Sequence, residues 1–369
     1  MNSQFSHKKS GVGSALNALS GWDKSSALPF SQSLDGLTVS YAETSDLSGI
    51  LESESSHILA VISHGEEQFL SPIGKGLTID VNLPQLSQPR VLEVWRSSGP
   101  VLCDQVQDIR LAFTDEVVFG CLEVQETSAN VLEDVARASY ERIIEYCAQS
   151  GYSHLLRMWN YFPDINAEQH GLERYKQFCV GRHQAFSAHY HEFRSLLPAA
   201  SAVGTSGGPF QVLFLAGKQP GIPLENPRQI SAYEYPPFYG PRSPSFARAT
   251  LHRTLSSRHL FVAGTASIVG HTTQHHSDPT KQTLETLSNI DAILNRVRSE
   301  CTELRDGKLS EGLFKVFVRN QADLNFIREA LESYDYVKGS ILYVLGEMCR
   351  KELLVEIEAM WNLPFPPND

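Results

Sequence analysis

The chain has 369 residues, 41% of them hydrophobic and 20% charged, and carries a formal net charge of −11 at pH 7. Its length exceeds what one hydrophobic core usually serves, so one large or two medium domains are expected. The acidic balance argues against a broad basic face, and so against a nucleic-acid or anionic-membrane partner; a small acidic substrate in an arginine-lined cleft remains open.

No stretch of the sequence approaches the run of apolar residues that a membrane-spanning helix needs. The first twenty residues hold Lys8 and Lys9 but then Gly, Ser and Asn in place of a solid apolar block, unlike a secretory signal. Six cysteines are scattered without a C-x-x-C pair. That usage suits a reducing compartment, and a cytoplasmic location is expected.

In chain order, residues 1–40 read as a Ser/Gly-rich arm without firm periodicity. Short apolar runs at residues 37–39, 57–62, 91–95 and 117–124 read as strands between Gly and Pro turns. Val131, Val135, Ala138, Tyr140 and Ile144 have helical spacing, and Gly151 offers a stop. Residues 154–161 then look like a buried strand ended by Pro163, and 171–194 like a second helix. Residues 210–215 and 259–263 read as strands, the latter stopped by Gly264. Leu284, Leu287, Ile290, Ile293, Leu294 and Val297 mark an amphipathic helix over 280–298. A strand at 312–319, a helix at 323–334 capped by Asp323, and a run at 353–360 complete the reading. Helix-then-strand at 131–161 matches helix-then-strand at 280–319, which points to a faint internal duplication of an α+β unit.

Several residues could carry chemistry. If 353–360 is a strand, Glu356 and Glu358 share one face while Val355 and Ile357 point the other way. A carboxyl on a half-buried face keeps its proton toward neutrality and can act as a donor. The same letters also fit the end of an exposed helix, with both acids in water. Arg242 and Arg248 follow an aromatic, Pro-rich segment, YEYPPFYG over 233–240, that suits a ring-shaped ligand, and arginine forks suit carboxylates. Surface ion pairs are the alternative use of each. His271, His275, His276 and Asp278 lack any established metal spacing, so hydrogen bonding within a loop is the better expectation and His271 is expected to border the pocket. Cys349, seven residues before Glu356, is by itself more often a packed thiol than a nucleophile.

Four segments, LLRMWNYFPDIN at 155–166, RYKQFCVGR at 174–182, GTASIVGH at 264–271 and CRKELLVEIE at 349–358, resemble the chorismatase family. The closing VEIEA also resembles the Rid (YjgF-type) fold. The resemblance implies an α+β architecture, Rid/YjgF-like (chorismate-mutase-like), with helices packed on one face of the sheets. It implies a diverged Rid-like half at 41–205 and a Rid-like catalytic half at 206–369. It further implies a cofactor-free and metal-free enzyme, a monomer or small homo-oligomer, that splits chorismate into pyruvate and a ring product. By this resemblance Glu356 is the essential acid and Cys349 marks the members that form 3-hydroxybenzoate, sometimes with 4-hydroxybenzoate. Arg242, Arg248 and Arg182 would hold carboxylates, and Tyr233, Tyr235 and Tyr239 would line the ring slot. The competing readings are a hydrolytic member giving a dihydroxycyclohexadiene carboxylate, a Rid-like enamine or imine hydrolase, and a metabolite-binding module without turnover.

Overall fold

The computed structural model describes residues 36–363, apart from 55, 66–75, 87, 128–130, 254–257, 301–311, 335 and 338–339. Most of the expected arm, residues 1–35, lies outside the described residues.

The first sheet holds β1 (Leu37–Glu43), β2 (Ile58–His64), β3 (Leu77–Val81) and β4 (Val91–Ser97), in the order β1-β4-β2-β3, with α1 (Leu47–Glu54) between β1 and β2. The second has six strands: β5 (Leu102–Val106), β6 (Ile109–Phe113), β7 (Val117–Val124), β8 (His154–Pro163), β11 (Ala199–Thr205) and β12 (Phe210–Gly217). Between them run α2 (Leu132–Ser150), a two-residue ribbon of β9 (Glu168–Gln169) with β10 (Leu172–Glu173), and α3 (Arg174–His189). The third sheet also has six: β13 (Gly221–Leu224), β14 (Ala249–Arg253), β15 (Arg258–Ala266), β18 (Leu313–Val318), β19 (Ile341–Leu345) and β20 (Val355–Leu363). Its companions are the ribbon β16 (Ile268–Val269) with β17 (Thr272–Thr273), then α4 (Pro279–Glu300) and α5 (Leu324–Glu332).

The duplication expected from sequence is present as topology. The second sheet runs β11-β8-β12-β7-β6-β5 and the third, read from its other edge, β19-β18-β20-β15-β14-β13. In each, a parallel pair (β8 with β11, β18 with β19) is followed by an antiparallel strand that returns to the middle. The first sheet repeats the same core in shortened form. There β2 is parallel to β3 and antiparallel to β4, which pairs with β1. The described chain therefore contains three copies of one α+β unit. The sequence boundary at 205–206 falls inside the second copy, because β12 completes that sheet and membership changes between Gly217 and Gly221.

Strand alternation explains the layering. On β20, Val355, Ile357 and Trp361 pack outward against α4 and α5 with Leu287, Ile290 and Ile327, whereas Met360 points to the middle of the molecule. The inner faces of all three sheets share one core that includes Ile62, Trp95, Phe119, Trp159, Leu213, Phe261 and Phe317. The second sheet covers its outer face with α2 and α3 through Tyr140, Phe178 and Phe186. Helices thus lie outside and sheets inside, the packing that half-buried amphipathic helices require. No helix among the described residues is long and apolar enough to cross a membrane.

Two local expectations need correction. Gly264 does not end its strand: β15 continues through it to Ala266, with a register shift against β20 between Val262 and Thr265. Asp323 stands at the N-terminus of α5 but caps no helical N–H; its carboxylate accepts from Asn320 Nδ2 at 2.9 Å.

Between the sheets lies a buried charged cluster drawn from all three copies. Lys315 Nζ on β18 meets Glu93 Oε2 on β4 at 2.7 Å, and Arg157 Nη2 on β8 meets Glu358 Oε1 on β20 at 2.8 Å. The indoles of Trp95 and Trp159 donate to Glu93 and Glu358 at 2.8 and 3.1 Å. Burial alone would push the Glu93 carboxyl up, but the Lys315 ammonium and the His64 ring together outweigh it and hold Glu93 well below the usual carboxylate range. Buried charges survive only when paired and hydrogen-bonded in this way.

Candidate active site

Where the second and third copies meet, a cavity of about 300 Å³ opens, a size suited to a small molecule. Its walls include Tyr175 and Cys179 from α3, Tyr235, Tyr239, Arg242 and Arg248 from the loop before β14, Gly264 and Ala266 from β15, Cys349 and Arg350 from the bend before β20, and Glu356 from β20. A smaller lobe of about 40 Å³ shares the walls around Glu356 and Cys349 and extends to Arg182 and Ser201.

Glu356 is only 4% exposed. Its face of the strand is the one expected from alternation, shared with Glu358 and opposite Val355 and Ile357. The alternative of an exposed helix end does not hold. Burial pushes the Glu356 carboxyl up from 4.5 to about 8; the charge of Glu358 adds to this, and the guanidinium groups of Arg157, Arg248 and Arg319 act the other way. At neutral pH this side chain therefore carries a proton inside an arginine-lined cavity.

The room for that carboxyl comes from Gly264. A Cβ built there would lie 2.0 Å from Glu356 Oε1, so any larger residue displaces the acid. The glycine sits in the register shift of β15, the sort of irregularity that re-aims a side chain beside a site. Its N–H donates to Ser201 Oγ at 2.9 Å, and Arg157 Nη2 donates to the same oxygen at 2.7 Å.

The arginines differ in how they are held. Arg248, 5% exposed, donates through Nη2 to Ile230 O at 3.0 Å and to Tyr235 Oη at 2.9 Å, while its buried Nε lacks a partner among the described residues. Arg350 lies 4.2 Å from the ring centre of Tyr239 and donates through Nη1 to His271 O and Thr273 Oγ1; its buried Nη2 has no partner among the described residues. Arg182 packs its guanidinium 5.1 Å from the Tyr140 ring and leaves buried Nε and Nη2 without partners among the described residues at the small lobe. Arg242 is exposed at the rim. Unsatisfied buried donors of this kind suit an anionic ligand.

Cys349 faces Glu356, and burial pushes its thiol up to about 12, with the Glu356 charge adding. Burial also pushes Cys179 up to about 12. Both are neutral thiols, unsuited to nucleophilic attack.

Of the residues expected from sequence, Glu356, Cys349, Arg242, Arg248, Tyr235 and Tyr239 converge on the main cavity and Arg182 on its lobe. Two do not line it. Tyr233 stacks on Arg194 at 5.6 Å and packs toward the second sheet's helices. His271 stands behind Tyr239, whose hydroxyl donates to His271 O at 2.6 Å. His275 lies 3.2 Å from Glu285, and Asp278 is paired with Lys281, so that segment spends its polar groups locally. Gly264, Arg350, Tyr175 and Cys179 were not anticipated, although each lies in one of the four segments that carry the family resemblance.

The sequence profile described as "Chorismatase FkbO/Hyg5-like, N-terminal" matches residues 93–216. A "3-hydroxybenzoate synthase" of Streptomyces hygroscopicus is 33% identical over 344 residues, 90% of this chain and 99% of that protein. A "Chorismatase" of the same organism is 34% identical over 73% of this chain and 78% of its own length. A chorismatase crystal structure at 31% identity superposes with a TM-score of 0.81, covering 90% of this chain and all of that one. With near-full-length likeness joined to a matching fold, the chain belongs to the chorismatase family.

Proposed function

We propose that the protein converts chorismate to 3-hydroxybenzoate and pyruvate, and that Glu356 is the acid that starts the reaction. The reading rests on one observation above all: a carboxyl that keeps its proton to about pH 8 sits at the floor of a cavity lined by Arg248, Arg350 and Tyr235. The near-full-length likeness to a 3-hydroxybenzoate synthase supports the product.

Chorismate carries a ring carboxylate and an enolpyruvyl ether with a second carboxylate. Arg242, Arg248 and Arg182 offer charge for two anions. Tyr235 and Tyr239 offer flat apolar faces to the ring. Glu356 then delivers its proton to the terminal methylene of the enol ether, and the developing oxocarbenium ion weakens the bond between the ring and the ether oxygen. The neighbouring ring hydroxyl displaces that oxygen, pyruvate leaves, and the resulting epoxide opens with loss of a ring proton. No water is consumed in this route, so the atoms of chorismate equal those of the two products. Cys349, a neutral thiol against Glu356, is placed to keep water from the cation or to donate weakly to the ring oxygen.

The test is to incubate the purified protein with chorismate and separate the acids formed. Pyruvate and 3-hydroxybenzoate in equal amounts are expected. A dihydroxycyclohexadiene carboxylate as sole ring product would replace this reading by a hydrolytic one, and absence of pyruvate would reject both.

A further inference from the structure

Glu358 lies two residues beyond Glu356 on the same strand face, yet it is not part of the cavity wall. Its carboxylate is closed in by Arg157 at 2.8 Å, by the Trp159 indole at 3.1 Å and by Lys315 at 3.9 Å. Arg157 reaches Glu356 by a second path. Its Nη2 donates to Ser201 Oγ, which also receives the N–H of Gly264, the residue over which the Glu356 carboxyl lies. The ion pair is 2–5% exposed at both ends and borders only a separate space of about 30 Å³, outside the main cavity and its lobe, so salt screens it little and a ligand in the main cavity does not reach it.

We propose that Arg157 and Glu358 are positioning residues for the reaction: their ion pair, sealed behind the cavity, sets the electrostatic background against which Glu356 holds and gives up its proton. The inference rests on the proposed function and deepens it.

Other titratable groups share the cavity with Glu356 or act on it from the neighbouring elements: Tyr235, Tyr239, Arg242 and Arg248 before β14, Arg319 after β18, Cys349, Arg350, Lys351 and Glu352 in the bend before β20, Glu173 on β10, and Tyr175, Lys176, Cys179 and Arg182 on α3. Arg248, Arg350 and Arg182 line the cavity and its lobe and will be altered by a bound anion. Arg319 spends its donors on the carbonyls of Leu353, Met348 and Arg350. Arg157 and Glu358 stand apart because their charges are opposite, adjacent and outside the substrate's reach. Removing either one alone must therefore shift Glu356 in opposite directions: loss of Glu358 removes a repelling charge, and loss of Arg157 removes an attracting one.

The experiment measures kcat/KM with chorismate from about pH 6 to about pH 10 for the wild type, E358Q and R157Q, with melting curves to verify folding. In parallel, the infrared carbonyl stretch of protonated Glu356, assigned by its loss in E356Q, is titrated in each protein without substrate. Glutamine at 358 keeps an oxygen for the Trp159 indole. The descending limb and the infrared midpoint are expected to fall by about one pH unit in E358Q and to rise by about one in R157Q. R157K, which keeps the charge, is expected to stay with the wild type. Limbs and midpoints that coincide with wild type in folded variants, or that move in the same direction, overturn the proposal. If R157Q does not fold, E358Q decides alone, by falling or by staying. If the wild type releases no pyruvate, the function fails, while the infrared midpoints still judge the ion pair.

Discussion

The second and third copies of the unit order their strands identically, yet among the described residues the third is where an acid, a strand slip and a close-packed glycine come together at the cavity. The returning strand of the second copy, β12, turns Gln211, Leu213 and Leu215 inward; its counterpart β20 turns Glu356, Glu358 and Met360 inward. Gln211 is satisfied in place, donating to Glu123 Oε1 at 2.6 Å and to Asp80 O at 3.2 Å. β7 pairs with β12 without interruption, and the slip of β12 falls on its other side, against β8 at Leu215–Ala216, whereas β15 slips register beside β20 and brings Gly264 against the Glu356 carboxyl. The difference teaches that the duplicated fold supplies a place for a side chain, and that an acid, a bulge and a missing Cβ make it a site. The cavity itself exists because two copies meet there, α3 of one closing over β20 of the other.

The sharpest way to break the comparison is to remove the acid. Glu356→Gln is expected to lower kcat by about 10²–10⁴-fold in the pyruvate assay, leaving β20 as empty of chemistry as β12. The same variant has a stability signature. Because the folded pKa is raised from 4.5 to about 8, the protonated acid favours the folded state at low pH and that contribution is lost as pH rises through about 8. Melting temperatures at rising pH should therefore shift progressively in favour of E356Q over the wild type.

Next in size, Gly264→Ala keeps the acid but forces its carboxyl aside. A loss of about 10²-fold in kcat with a normal melting curve is expected; near-wild-type turnover would mean that the close approach is dispensable. Cys349→Ala leaves turnover within about tenfold but opens space beside the cation, so the ring product is expected to shift toward the dihydrodiol in chromatographic separation of the acids. An unchanged ratio would remove Cys349 from product control.

The smallest effect on activity belongs to the inactive copy. Gln211→Glu gives β12 an inward acid but no cavity, and sets it against Glu123. It should destabilise by about 1–3 kcal/mol in denaturant melts and leave kcat/KM of the folded protein unchanged.

Much of the third copy was readable because its elements have strong periods. The Leu/Ile/Val stripe of α4 and the alternation in β20 each identify an element and its buried face. Weaker elements were invisible for physical reasons. β5 is largely exposed and polar, β11 is built mostly of small residues, β13 contains Pro223, and α1 is only eight residues long. Without α1 and β3 the first copy could not be recognised, so the threefold plan emerged only from strand order. Glu356 was legible because one strand fixes its direction. Arg350 and Gly264 were not, since what they do depends on approach across the structure: a bend folding Arg350 onto Tyr239, and a strand slip placing Gly264 against a carboxyl five strands further along the chain.

The most direct measurement is a titration of the Glu356 carboxyl itself, by carbon-13 labelling of glutamate and comparison with E356Q, in the protein without substrate. A carboxyl resonance that loses its proton with a midpoint near the value of about 8 expected from its burial, matching the descending limb of kcat/KM, is the predicted result. A carboxylate already ionised at about pH 6, within the ordinary range for an exposed acid, would contradict the account.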